Sequence, residues 1–184
     1  MTVQNPWRTL ASEVRYDNPW ITVVHHDVLG PDGNPGIYGT VHFKAVALGV
    51  VALDAEDRVH LIGQWRYPLD RYSWELPQGG GDPAIDPLLG IQRELREEAG
   101  LEARDWREIL RLDLSNSVTD ELAIIWLATG LTVGEPEPEG TEQLVRRVVP
   151  FDEALEMCLD GGITDAITVA ALLRVKLLRD TDAR

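Results

Sequence analysis

The stretch Asp86 to Leu101, DPLLGIQRELREEAGL, constrains this chain more than any other. Asp86 before Pro87 is a helix start: an Asp N-cap, then Pro at the first helical position. Gly100 is a helix stop. The spacing predicts a helix of about three turns between them. Glu94 stands three residues before Glu97 and four before Glu98, so the three carboxylates share one face. Arg93, four before Glu97, is placed to orient that carboxylate. Like charges at this spacing repel and weaken a helix. A hard divalent cation held by oxygen ligands would turn that repulsion into a binding site. Taken alone, the run also reads as a solvated, salt-bridged helix face.

The glycines Gly79, Gly80 and Gly81 upstream sharpen the reading. With Gly79 as the opening glycine, the run resembles the Nudix box, Gly-x5-Glu-x7-Arg-Glu-aliphatic-x-Glu-Glu-x-Gly-aliphatic. Arg93, Glu94, Leu95, Glu97, Glu98, Gly100 and Leu101 fit it. One position departs: Ile85 stands where the box has its first glutamate, after Ala84 where glycine is usual. In the family that glutamate ties the loop to the helix, while the later cluster carries most of the metal. The resemblance therefore implies a metal site with altered loop support, with Asp82 or Asp86 taking over part of the role.

The chain has 184 residues, enough for one domain with a small extension. Its net charge of −14 argues against non-specific nucleic-acid binding and against attraction to anionic membranes. A phosphate-bearing substrate would need metal ions and a few arginines to reverse that field locally. The single cysteine, Cys158, excludes an intramolecular disulfide and suits a reducing compartment. It lies on an apolar stripe with Phe151, Leu155 and Leu159 and reads as core. No signal peptide is evident, and the longest small-and-apolar run, Ala45 to Leu53, falls far short of the roughly 18 residues that span a bilayer. A cytoplasmic protein is expected.

Residues 1 to 11 read as a loosely held start. Glu13 to Val28 reads as strand broken at Asn18-Pro19, followed by turn chemistry from Gly30 to Gly36 and a return strand from Tyr38 to Lys44. Residues 1–44 thus form a small antiparallel unit, too small to stand alone. Residues 45–184 form the main domain. Its expected strands are Val46–Leu53, Val59–Trp65, Tyr72–Leu76, Trp106–Asp113, Glu121–Ala128 and Leu144–Val149. Two closing helices are expected, Asp152–Asp160 and Asp165 to about Arg179, the second capped by Thr164. The order predicts an α/β (α+β) protein, a mixed sheet sandwiched between helices, and the Nudix fold is such a sandwich.

The resemblance runs over roughly residues 12 to 178. Gln64-Trp65-Arg66-Tyr67-Pro68 with Trp74-Glu75-Leu76-Pro77-Gln78-Gly79 is similar to the ADP-ribose and nucleoside-diphosphate-sugar pyrophosphatases of the family. Carried across, Arg66 meets substrate phosphates, and the Gln78 carbonyl joins Glu94, Glu97 and Glu98 as metal ligand. The family usually has alanine at 78. Ser115 to Glu121 resembles the Ser-Pro-Gly-Phe-Ser-Asp-Glu loop of ADP-ribose pyrophosphatases, which places Ser117 near the substrate. Asn116 replaces the proline that marks ADP-ribose specificity, favouring another diphosphate sugar. Gly162 to Ala166 resembles the Gly-Lys-Ile-Thr-Asp-Ala segment of the same subfamily. Such enzymes dimerise through an N-terminal sheet, so a homodimer is expected.

The implied reaction is hydrolysis of a nucleoside diphosphate sugar such as GDP-mannose or ADP-ribose, with two or three Mg²⁺ or Mn²⁺ ions. Related pyrophosphatases take a general base from an acidic loop, here Glu135 to Glu142. Glu142 is the first candidate, then Glu139, then Glu121, with Glu97 beside the metal. Trp20 and Tyr16 are candidates for stacking on a base, although aromatics in strands usually fill cores. Glu75 reads either as a site residue or as a polar strand residue. His25, His26, His42 and His60 lack ligand spacing and read as core or surface. An ADP-ribose-specific enzyme, a nucleoside-triphosphate pyrophosphatase and a non-catalytic ligand sensor stay open; sensors commonly lose the glutamate cluster that this chain keeps.

Overall fold

A computed structural model describes residues 4–134 and 143–182. The chain opens with three antiparallel strands, β1 (Arg8–Asp17), β2 (Ile21–Leu29) and β3 (Pro35–Phe43), in the order β1-β2-β3. Asn18 makes the first corner, its side-chain oxygen accepting from the amides of Trp20 and Ile21 at 2.8 and 2.7 Å. The first strand starts at Arg8, earlier than the loose start expected to residue 11, because Arg8 and Thr9 pair with Leu29 and Val28. Every residue of β1 is exposed.

The chain continues through β4 (Val46–Ala52), β5 (Arg58–Arg66), β6 (Arg71–Glu75), β7 (Gln78–Gly81), α1 (Pro87–Ala99), β8 (Leu101–Asp113), β9 (Leu122–Val133), β10 (Val145–Pro150), α2 (Phe151–Leu159) and α3 (Ala166–Asp182). One sheet runs β7-β4-β9-β8, with β4 and β9 parallel and the outer pairs antiparallel. A second runs β10-β5-β6. Side chains alternate across a strand, and the central strands are apolar on both faces. Leu48, Val50, Ile124 and Trp126 pack with Ile91 and Leu95 of α1. Val51, Ala123 and Ile125 pack with Phe151 of α2 and with Ile167 and Leu172 of α3. The sheets are thus covered by α1 on one side and by α2 and α3 on the other, the sandwich of mixed sheet and helices that the order of elements predicts.

Helix α1 starts and stops where the sequence places it. Asp86 caps it by accepting from the Leu88 amide at 3.0 Å, and Gly100 closes it at φ 65°, a conformation that glycine adopts without strain. Its buried face carries Ile91, Leu95 and Glu98, so burying the leucine carries a glutamate into the interior. At α3 the expected cap moves by one residue. Asp165, not Thr164, accepts from the Thr168 amide at 2.8 Å, and the Thr164 hydroxyl accepts from Arg71 at 2.9 Å. Cys158 is half-buried against the core, and burial with nearby Asp160 pushes its thiol up to about 11.

The N-terminal sheet is stitched to the loop between β8 and β9. The Tyr38 hydroxyl donates to the Ser117 carbonyl at 2.7 Å, and the Val41 amide to the Val118 carbonyl at 2.9 Å. Asp120 accepts from the Phe43 amide at 3.0 Å and pairs with His42. Burial works against the Asp120 charge, but these two partners hold its carboxyl below the usual range.

Candidate active site

A cleft of about 610 Å³ opens where the two sheets, the loop before β9 and the start of α3 meet. Trp20, Arg66, Glu75, Gln78, Glu98 and Glu121 all line it.

The glycine segment and Glu98 of α1 supply one of its walls. Gly79 is required here for space: a Cβ at this position would overlap the Glu94 carboxyl group. One residue back, the Gln78 amide donates to Glu98 Oε2 at 3.0 Å. Glu94 and Glu98, one helical turn apart, therefore both meet the Gln78–Gly79 segment. Glu98 is 5% exposed. Arg93 spans the other pair, at 2.8 Å from Glu94 and 3.5 Å from Glu97.

Arg66 and Glu75 form a second pole of the cleft. In the β5–β6 register Arg66 lies opposite Arg71 and Glu75 opposite Ile62, so the long arginine side chain reaches along β6: its Nε lies 2.9 Å from Glu75 Oε1, with a second contact through Nη2. Burial raises the Glu75 carboxyl, but hydrogen bonds and charge from Arg66 outweigh it and hold the group below the usual range. The same pairing raises the Arg66 guanidinium, so it stays charged. The Gln78 side chain donates to Glu75 at 2.7 Å. Glu121 has no such help: burial alone raises its carboxyl.

Glu94 sits behind Gly79, not on the cleft surface, and Glu97 is turned to Arg93. Tyr16 and Ser117 are exposed and do not line the cleft. Glu139 and Glu142 lie outside the described residues. Ile85 is 52% exposed, on a smaller hollow with Leu48 and Leu89, away from the cleft. Asp165 and Ser73 also line the cleft and were not singled out by sequence. Asp165 carried a signal in its Thr-Asp pair at a helix start, whereas Ser73 carried none.

Among the described residues no three acidic, histidine or cysteine side chains group closely enough to enclose a metal ion. Two carboxylates beside one peptide still fit Mg²⁺ or Mn²⁺, because Mg²⁺ is usually held by one or two carboxylates plus substrate phosphates, not by an all-protein cage.

Comparison with known proteins identifies the family. A NUDIX domain profile matches residues 43–171, and the profile of the nucleoside diphosphate sugar hydrolase N-terminal domain matches residues 7–41. An ADP-ribose pyrophosphatase of Mycobacterium tuberculosis is 35% identical over 176 residues, covering 94% of this chain and 84% of that protein. One from Bacillus subtilis is 28% identical over 172 residues, covering 92% of each chain. A CMP-5'-(N-acetyl-N-hydroxy-3-aminopropyl)phosphonate hydrolase of Streptomyces rubellomurinus is 30% identical, covering 92% of this chain and 82% of its own. The crystal structure of an ADP compounds hydrolase shares the fold, with a TM-score of 0.88 over 100% of both chains at 22% identity. With the box residues set on α1 as described and the domain profile spanning most of its length, the chain belongs to the Nudix family of hydrolases.

Proposed function

We propose that the chain hydrolyses the diphosphate bond of nucleoside diphosphate sugars, releasing a nucleoside monophosphate and a sugar phosphate. The observation that carries this reading is the cleft's two poles. Glu98, the Gln78–Gly79 segment and the Arg66 guanidinium line one cavity large enough for a nucleotide. A diphosphate needs cationic contact on several oxygens, and Arg66 offers it directly.

Glu94 and Glu98, with the Gln78 carbonyl and with Glu97 alongside, are the groups that would hold Mg²⁺ or Mn²⁺. Bound there, the ion supplies charge neutralisation of the diphosphate. The chain's own part is to orient the substrate and move one proton. Water attacks one phosphorus, the bond from that phosphorus to the bridging oxygen breaks, and the bridging oxygen leaves with the other phosphate. A carboxylate takes the proton from water. Glu121 is the candidate within the described cleft, and its raised carboxyl suits a base working nearer neutrality. Glu139 and Glu142 remain candidates from the acidic loop. Trp20 lines the cleft with 71% of its surface exposed, which supports a stacking role against a nucleobase.

ADP-ribose belongs on the substrate panel because two similar proteins are named for it. A narrow ADP-ribose specificity is the second reading, and Asn116 argues for another diphosphate sugar. A homodimer is part of the proposal: Leu10, Val14 and Ile37 leave the N-terminal sheet with exposed apolar area. A cytoplasmic setting fits a chain in which, among the described residues, no helix is long and apolar enough to cross a membrane.

The deciding experiment is product release from GDP-mannose, ADP-ribose, ADP-glucose, UDP-glucose and nucleoside triphosphates, with Mg²⁺, with Mn²⁺ and with chelator. Metal-dependent cleavage of diphosphate sugars is expected. Silence on every compound from folded, metal-loaded protein rejects the reading and favours a ligand sensor.

A further inference from the structure

The Gln78 side chain does something that no role for its main chain explains. Its Nε2 donates to Glu75 Oε2 at 2.7 Å. Its Oε1 is shut off from solvent and has no hydrogen-bond partner, alone in this among buried side-chain polar atoms of the described residues. Turning the amide over would not help. Glu75 is ionised against Arg66 and only accepts, so a carbonyl oxygen facing it would be repelled. The contact with Glu75 thus dictates the orientation and strands Oε1. A buried acceptor without a partner is disfavoured, and a methionine of the same shape would not carry that penalty.

Strand alternation fixes the side on which this happens. The α-carbon of Gly79 faces Glu94, so Gln78 projects from the opposite face of β7. There its Cβ lies 3.9 Å from where a side chain at Gly49 would begin. The amide therefore belongs to the Arg66 pole and not to the Glu94 side.

We propose that the Gln78 side chain is a positioning residue for substrate phosphate, holding Glu75 and through it the plane of the Arg66 guanidinium. Glu75 takes Arg66 by Nε, at 2.9 and 3.2 Å, and by Nη2. That grip leaves Nη1 for a phosphate oxygen. With Gln78 donating from one side, and Ser73 as a further hydrogen-bond neighbour, the carboxylate has one orientation and so has the guanidinium. The inference rests on the proposed reaction only for what Arg66 binds.

The test uses Gln78→Met, Arg66→Lys and the double variant of the full chain. Gln78→Met keeps the main-chain carbonyl and the side-chain shape. It should melt within about 3 °C of wild type, because losing the Nε2 hydrogen bond to Glu75 offsets the relief of the stranded oxygen. Binding of ADP, used as the diphosphate probe in calorimetry, should weaken about tenfold, and KM for any cleaved nucleotide sugar should rise about tenfold, with kcat changed less than about twofold. On the Arg66→Lys background the loss should shrink below about twofold. The Arg66 Nε–H signal, identified by its disappearance in Arg66→Lys, should broaden in Gln78→Met with no ligand present. Lower melting with unchanged ADP affinity would make Gln78 a packing residue and overturn the proposal. So would a loss that persists in full without Arg66, or an unchanged Arg66 signal. A wild type that binds ADP but cleaves no nucleotide sugar rejects the reaction and leaves these comparisons in force.

Discussion

Glu94 lays its carboxyl group against the α-carbon of Gly79, where no side chain has room. The glycine that opens the box is a matter of contact distance, not of backbone conformation. In Gly79→Ala the obstructing atoms belong to the far end of a flexible side chain, so Glu94 swings aside and the fold stays. Melting should change by less than about 3 °C, while Mn²⁺ affinity measured by calorimetry should fall roughly 10- to 100-fold. Unchanged Mn²⁺ affinity would show that Glu94 is not a ligand.

Glu98→Gln keeps an oxygen for the Gln78 amide and removes the charge. Turnover should fall on the order of 100-fold or more, with an unchanged circular dichroism spectrum. Near-normal activity would sink the metal assignment.

Ile85→Glu restores the glutamate of the box at a position that is half exposed and outside the cleft. Activity should stay within about twofold of wild type, as for most surface changes. A complete loss would mean that Ile85 makes contacts that matter to the reaction.

Burial raises the Glu121 carboxyl above its ordinary 4.5, so the folded chain holds that proton more tightly than the unfolded chain. The stability this lends is present below pH 4.5 and is lost as pH rises through the higher folded value. Glu121→Gln does not titrate, so its melting temperature should gain on wild type across that window. Thermal melts at constant ionic strength from about pH 4 to pH 8 measure this. Parallel curves would show that Glu121 is not strained by burial. The same variant should lose turnover if Glu121 is the base.

Leu10→Lys with Val14→Lys places charge on the exposed first strand. Light scattering should report a shift from dimer to monomer, since charge disfavours an apolar contact. A dimer that survives both changes would put the contact elsewhere.

The parts of this fold that depend on local chemistry were legible in the sequence, and those that depend on distant partners were not. Asp86, Pro87 and Gly100 mark α1 because capping involves atoms within a few residues. Gln78–Gly81 is rich in glycine and has no strand propensity, yet it is a strand because Val46–Gly49 of β4 pairs with it. The carboxylate row on α1 follows from helical spacing, but which carboxylate reaches the cleft depends on burial. Glu98 is carried inward beside Leu95, and Glu97 is left with Arg93. The Arg66–Glu75 pair joins adjacent strands out of register, through the length of the arginine side chain, and no periodicity announces it. Thr164 and Asp165 are both good caps by residue type, and local sequence does not choose between them; in the fold Asp165 caps α3 while the Thr164 hydroxyl accepts from the distant Arg71.

The stitching of β3 to the loop before Glu121 has a practical side. Chimeras that exchange the first 43 residues between relatives would also exchange the partners of Ser117, Val118 and Asp120. A boundary drawn between the two profile matches would therefore cut through a working unit. A graft meant to keep this stitching intact must carry residues 115–120 along with its donor sheet.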